Sequence, residues 1–132
     1  MKQEDKELLL KDLCARLPYS QKIYYYYLNK NNVEVEETRE LDFSDIETLK
    51  HTNEYECQDN WCITVFKPYL RPMSSMTEEE RNHLEELDDD WVYNGIGFSE
   101  MFDFLVSHHL DYRHLIEKGL ALEAPADMYK IK

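Results

Sequence analysis

Lys22-Ile23-Tyr24-Tyr25-Tyr26-Tyr27-Leu28 decides the fold. Its β-branched and aromatic residues suit a strand, where successive side chains alternate between two faces. Two of the four tyrosine rings then point inward and two outward. Asn29-Lys30-Asn31-Asn32 follows as a turn, because Asn tolerates positive φ. Val33-Glu34-Val35-Glu36 then alternates apolar and charged, which marks a half-exposed strand and closes a hairpin. Farther along, Trp61-Cys62-Ile63-Thr64-Val65-Phe66 reads as the central strand of the sheet. The expectation is an α+β fold: a small antiparallel sheet of at least three strands, 22–28, 33–40 and 61–66, packed with N-terminal and C-terminal helices. Trp61, Ile63 and Val65 share one side of the third strand and Cys62, Thr64 and Phe66 the other. The Trp61 side holds more apolar volume and is expected inside, so Ile63→Asp should unfold the domain.

Helices flank these strands. Residues 4–17 set Leu9, Leu10, Leu13 and Leu17 at helical spacing, with Lys6, Lys11 and Asp12 on other faces and Pro18 as the stop. Ser44 and Glu47 have capping-box spacing, which predicts a short helix over 45–50. Pro68 and Pro72 bracket an extended connection. Thr77 and Glu80 form a second capping box, with Glu78, Glu79 and Glu80 placed well against the helix dipole, for a helix to about residue 88 that breaks by Asn94-Gly95. Ser99 is expected to cap a mostly buried helix over 100–109, whose apolar residues are Met101, Phe102, Phe104 and Leu105, with Met101 or Phe102 buried alongside Leu105. A last helix over 112–118 stops at Gly119. Beyond it, irregular chain packs back through Leu120, Leu122 and Tyr129.

Charge is high, at 33% of residues, and mean hydropathy is −0.71. Yet 42% of the chain is hydrophobic and 13% aromatic, unlike sequences that fail to fold. At 132 residues, with no internal repeat and no linker, the chain reads as a single globular domain over residues 1–132. The formal net charge of −13 is patterned. Residues 34–59 carry −8 and residues 78–103 carry −9, separated by an aromatic stretch whose only charges, Lys67 and Arg71, are basic. That distribution disfavours direct nucleic-acid binding and anionic membrane surfaces. Three cysteines, Cys14, Cys57 and Cys62, form no pair with metal or redox spacing. With no apolar run of membrane length and no signal-peptide pattern, the expected compartment is the cytoplasm.

Each chemical candidate has an ordinary counterpart. His108, His109 and His114 cluster with Asp111 and Glu117, but no His-x-x-x-His spacing occurs, which favours solvated or capping roles over a metal site. Cys14 and Cys62 sit in apolar patterns, and Cys57 is flanked by Glu56 and Asp59, which disfavour its thiolate. Acid runs such as Asp88-Asp89-Asp90 are usually solvated faces, and Asn94-Gly95-Ile96-Gly97 does not cradle phosphate. No catalytic, metal or cofactor-binding residue and no cofactor is therefore assigned. The segment Lys67 to Glu80 reads either as a docking stretch, with Met73 and Met76 as adaptable contacts, or as a strand-to-helix connection with Met76 as a hydrophobic staple. Candidate partner-binding residues are Tyr69, Arg71, Asp88, Asp89, Asp90 and Trp91.

Three stretches, LLLKDLCARLPY at 8–19, KPYLRPMSSMTEEE at 67–80 and HHLDYRHLIEKGLALEAPADMY at 108–129, carry a resemblance. They resemble uncharacterised small proteins encoded by phage and integrated mobile elements of gut anaerobic bacteria. The similarity covers 48 of the 132 residues and implies a mobile-element or prophage setting. It transfers no site residue, and it implies that these stretches form the scaffold. The expected function is a non-enzymatic accessory domain that binds a protein partner, a basic one given the charge. One alternative is an inhibitor that mimics nucleic-acid phosphates to occupy a DNA-binding protein. Another is a metal- or Cys/His-dependent hydrolase built on residues 108–117.

Overall fold

The structure is a computed structural model that describes residues 3–28, 31, 33–51, 64–95 and 98–129. Strand β1, Lys22–Leu28, pairs antiparallel with β2, Glu34–Glu40, on one side and with β3, Thr64–Leu70, on the other. A two-residue strand β4, Leu122–Glu123, adds parallel to β3, giving the order β2-β1-β3-β4. The α+β class is therefore as expected, with a mixed rather than purely antiparallel sheet. The hairpin strands fall where the sequence places them, whereas Asn29, Lys30 and Asn32 of the turn lie outside the described residues.

Register divides the sheet into two faces. Ile23 stands opposite Pro68 and Tyr25 opposite Phe66. Ile23, Phe66, Pro68 and Leu70 are buried, which makes this the core side. Tyr24 stands opposite Lys67 and Thr38, and Tyr26 opposite Val65 and Glu36, on the other face. Phe66 is thus in the core, from the side ranked second by apolar volume. Trp61, Cys62 and Ile63 lie outside the described residues, and with them the expectation for the Trp61 side and for Ile63→Asp. The third strand runs on through Pro68 to Leu70, so this stretch is sheet rather than connection.

Helix α1, Gln3–Arg16, buries Leu9, Asp12, Leu13 and Arg16, a stripe at helical spacing. Leu10 and Leu17 are only half-buried, so half of the expected apolar set forms the centre. Asp12 lies on the buried face instead of the outer one, because Arg16 neutralises it there at 2.7 Å and donates onward to the Leu110 carbonyl. Pro18 sits in a 3-10 turn, Leu17–Tyr19, that prolongs the helix before Ser20 ends it at φ 53°. Helix α2, Phe43–His51, starts earlier than predicted, and its capping box joins Asp42 to Asp45 rather than Ser44 to Glu47. The Asp42 carboxylate accepts from Asp45 N at 3.2 Å, and that of Asp45 accepts from Asp42 N at 3.0 Å. Leu41, Ile46 and Leu49 close the core beside Leu9, Leu13, Ile23, Phe66, Leu70, Leu115 and Leu120.

Helix α3, Glu78–Asn94, opens on the Thr77–Glu80 capping box and extends six residues past the expected end, to Gly95 at φ 66°. Helix α4, Phe98–Ser107, begins before Ser99, which lies in its first turn and does not cap it. It buries Phe104 and Val106, while Met101, Phe102 and Leu105 are half-buried. Residues 112–118 are turns, not a helix. The Asp111 carboxylate takes Leu115 N at 2.8 Å and Ile116 N at 3.0 Å, and His114 adopts φ 60°, which a helix does not accommodate. Gly119, at φ 75°, ends the turns as expected, and Leu120 is buried. Leu122 enters β4 instead of irregular chain, anchored by Ala124 N donating to Leu70 O at 2.8 Å.

Candidate partner-binding surface

Helix α3 is built for exposure. Its inward positions, Glu80, Leu84 and Leu87, are half-buried, and none of its seventeen side chains is buried. It carries eight carboxylates against Arg81. Glu78, Glu79 and Glu80 face the positive end of the helix dipole and stabilise it. Asp88, Asp89 and Asp90 approach the negative end, where no basic residue sits in the last turn to offset them. Directly after them come Trp91, 43% exposed, Val92, 63%, and Tyr93, 80%. Phe98, at the start of α4, stacks against Trp91 with ring centroids 5.0 Å apart and is itself 52% exposed. The α3–α4 corner therefore presents four large apolar side chains beside three aspartates.

The other two candidates lie elsewhere. Arg71 grips Glu80 with both guanidinium arms, Nη1 to Oε2 at 2.8 Å and Nη2 to Oε1 at 2.7 Å. It also donates to the Ser75 and His108 carbonyls. Its backbone N donates to His109 O and its carbonyl accepts from Asp111 N. The guanidinium, with Thr77 N and nearby His108 adding to it, holds the Glu80 carboxyl down at about 2. Arg71 is therefore the joint between β3, α3 and the chain after α4, and it is not free to meet a partner. Ten residues separate Glu80 from Asp90, about 15 Å along the axis. Tyr69 lies on the sheet, half-buried, its hydroxyl 3.5 Å from Thr38 Oγ1. Of the six predicted residues, Asp88, Asp89, Asp90 and Trp91 share one surface, while Tyr69 and Arg71 stand apart from it. Met73 and Met76 are half-buried beside Arg71, in the connection.

Sequence reasoning passed over Val92, Tyr93 and Phe98. The signal was present, since three consecutive apolar residues on a helix spread over about 200°, more than half a turn, and cannot all face inward.

A cleft of about 590 Å³ opens beside the Arg71 joint, lined by Glu79, Glu80, Ser75, His108 and Tyr129 among others. His108 Nδ1 lies 2.9 Å from Phe104 O, and a carbonyl only accepts, so Nδ1 carries the proton and Nε2 faces Glu80 at 3.9 Å. The Ser75 hydroxyl donates to Pro72 O and Thr77 Oγ1 accepts the cap bond, so neither is paired with a base as a nucleophile. His109 is buried. Its Nδ1 meets Gln21 Oε1 at 2.9 Å and its ring stacks on Tyr129 with centroids 3.7 Å apart. Burial, then the charges of Arg16, His108 and Arg71, push its pKa down to about 4. Asp111 is spent on backbone donors, and His114 and Glu117 are exposed. Among the described residues no three His, Cys, Asp or Glu side chains are placed to hold a metal ion. Cys14, expected inside, is exposed because α1 turns Leu9, Asp12, Leu13 and Arg16 inward; Cys57 and Cys62 lie outside the described residues.

Among the described residues no helix is long and apolar enough to cross a membrane. Comparison with protein-family models, with curated proteins and with solved structures finds no match to this chain.

Proposed function

We propose that the chain is a non-enzymatic, cytoplasmic accessory domain that binds a basic protein through the outward face of α3 and its corner with α4. The resemblance read in the sequence supplies the setting, a prophage or mobile element. One observation carries the reading: a seventeen-residue helix gives no side chain to the core, yet carries eight carboxylates and ends in exposed Trp91, Val92 and Tyr93. A helix selected for stability alone would not place three aspartates near its negative end beside an uncovered aromatic group. Aromatic anchors with charged neighbours are what partners use, the rings for affinity and the charge for steering.

The test is capture from lysate of the encoding cells at low and moderate salt, with the chain compared against an Asp88→Lys/Asp89→Lys/Asp90→Lys variant. A basic protein retained by the parent at low salt, and lost both at moderate salt and in the variant, is the expected result. The variant should keep the parent's thermal melt, because all three aspartates are exposed. Equal capture by parent and variant would refute the reading.

A further inference from the structure

Only β1 pairs with β2 among the described residues, and β2 stands at the end of the strand order. The direction of its main-chain groups follows from one bond. Leu41 N donates to Gln21 O at 2.8 Å, which makes Gln21 and Leu41 a hydrogen-bonded pair in the antiparallel ladder. Alternation along the register makes Ile23–Arg39, Tyr25–Glu37 and Tyr27–Val35 hydrogen-bonded pairs too. Lys22 fits this pattern, since its N–H and carbonyl turn away from β2 to meet Tyr129 Oη and Gln21 Nε2. Glu34, Glu36, Thr38 and Glu40 therefore aim their backbone N–H and C=O outward, off the sheet edge.

The same four residues set their side chains on the tyrosine face. Tyr24 Oη donates to Glu36 Oε1 at 2.7 Å and Tyr26 Oη to Glu34 Oε1 at 3.2 Å, which fixes both carboxylates along the edge. Lys22 reaches Glu40 at 3.4 Å. Outward backbone groups, paired with no second strand among the described residues, and a row of oriented carboxylates thus coincide on alternate residues.

We propose that this edge takes up an extended basic segment of a partner protein as an added antiparallel strand, with Lys or Arg on alternate residues facing Glu34, Glu36 and Glu40. Main-chain bonds supply the attachment, and the carboxylates select the sequence. A second copy of this chain does not fit. Antiparallel pairing of two β2 edges about Glu37 opposes Glu34 to Glu40 and Glu37 to itself, which like charges disfavour.

The probe is a capped heptapeptide, Lys-Val-Thr-Val-Lys-Val-Lys, titrated into the isotopically labelled domain and followed by amide chemical shifts. The control has the same composition in blocks, Lys-Lys-Lys-Val-Val-Thr-Val, which cannot turn three lysines to one face of a strand. The expected result is saturable perturbation of Glu34, Glu36, Thr38 and Glu40, with the block peptide weaker by about tenfold. Thr38→Pro removes an outward N–H while leaving the β1 ladder intact, and should weaken binding about tenfold. Glu34→Lys/Glu36→Lys keeps the backbone and should abolish it. The α3 triple lysine variant should bind the peptide within about twofold at physiological salt, where charges beyond about 8 Å are screened. Absence of saturable binding, equal binding by both peptides, or binding untouched by Thr38→Pro and by Glu34→Lys/Glu36→Lys would overturn the proposal. Loss only in the α3 variant would overturn it as well, and would leave the α3 reading standing.

Discussion

Replacing Asp12 with Ala should cost far more than its size suggests. Asp12 and Arg16 are fully buried, and Arg16 Nε meets Asp12 Oδ2 at 2.7 Å. Arg113 Nε faces the other carboxylate oxygen at 3.3 Å, but makes no aligned hydrogen bond to it. Arg16 Nη2 donates to Leu110 O at 2.6 Å, while Nη1 has no partner. One carboxylate therefore balances two guanidinium groups that both approach the Tyr112 ring. Removing it strands a buried cation, at about 3–5 kcal/mol. Against a typical total of about 5–15 kcal/mol, that lowers the melting temperature by about 10–20 °C. Arg16→Met added to Asp12→Ala removes the stranded charge and leaves the Leu110 carbonyl unsatisfied, at about 1–3 kcal/mol. The double variant should thus be more stable than Asp12→Ala alone. Urea unfolding of the parent, both single variants and the double variant measures the cycle. An Asp12→Ala loss below about 1 kcal/mol, or a double variant less stable than that single one, would refute this account of the cluster.

Acid should destabilise the domain in two stages. His109, held at about 4 against its ordinary 6.5, leaves the unfolded chain binding the proton first, so stability is complete above pH 6.5 and falls as pH drops toward 4. Glu80, held at about 2 against 4.5, contributes stability above pH 4.5 that is lost as pH falls toward 2. Denaturant midpoints across pH should show both limbs; His109→Asn, which tolerates the φ of 60°, should flatten the upper limb and Glu80→Gln the lower. Gly119→Ala should cost about 1 kcal/mol in a urea melt, since a Cβ there meets no atom within 4 Å and only the positive φ resists it; a loss above about 3 kcal/mol would show that the site is tighter than described.

Local chemistry was legible wherever neighbouring residues settle it. Strand β1 was bounded to the residue by its aromatic run, and the Thr77–Glu80 box and the Gly95 and Gly119 stops followed from cap and turn chemistry. Tertiary partners hid the rest. Strand β4 is two residues long and exists because Leu70 offers its carbonyl to Ala124. The 112–118 pattern looks helical, but Asp111 claims the amides that would have started the helix. Asp12 and His109 read as outward or solvated residues, and Arg16 and Gln21 carry no burial signal, until Leu110 O, Tyr69 O and Tyr129 are brought to them. At the candidate surface the Asp88-Asp89-Asp90-Trp91 run was visible from charge alone. The engagement of Arg71 with Glu80 was not, because nothing in the linear sequence sets the eight intervening residues to close that pair.

The central claim is that the α3–α4 corner is where a partner sits. A photo-reactive aromatic residue placed at Tyr93, with a matched one at exposed Lys11 on α1, tests it in the cells that encode the chain. The account predicts a discrete crosslink to a basic protein from position 93, none from position 11, and loss of the product when Asp88, Asp89 and Asp90 are changed to Lys. The same product from both positions, or one that survives the charge reversal, would contradict it.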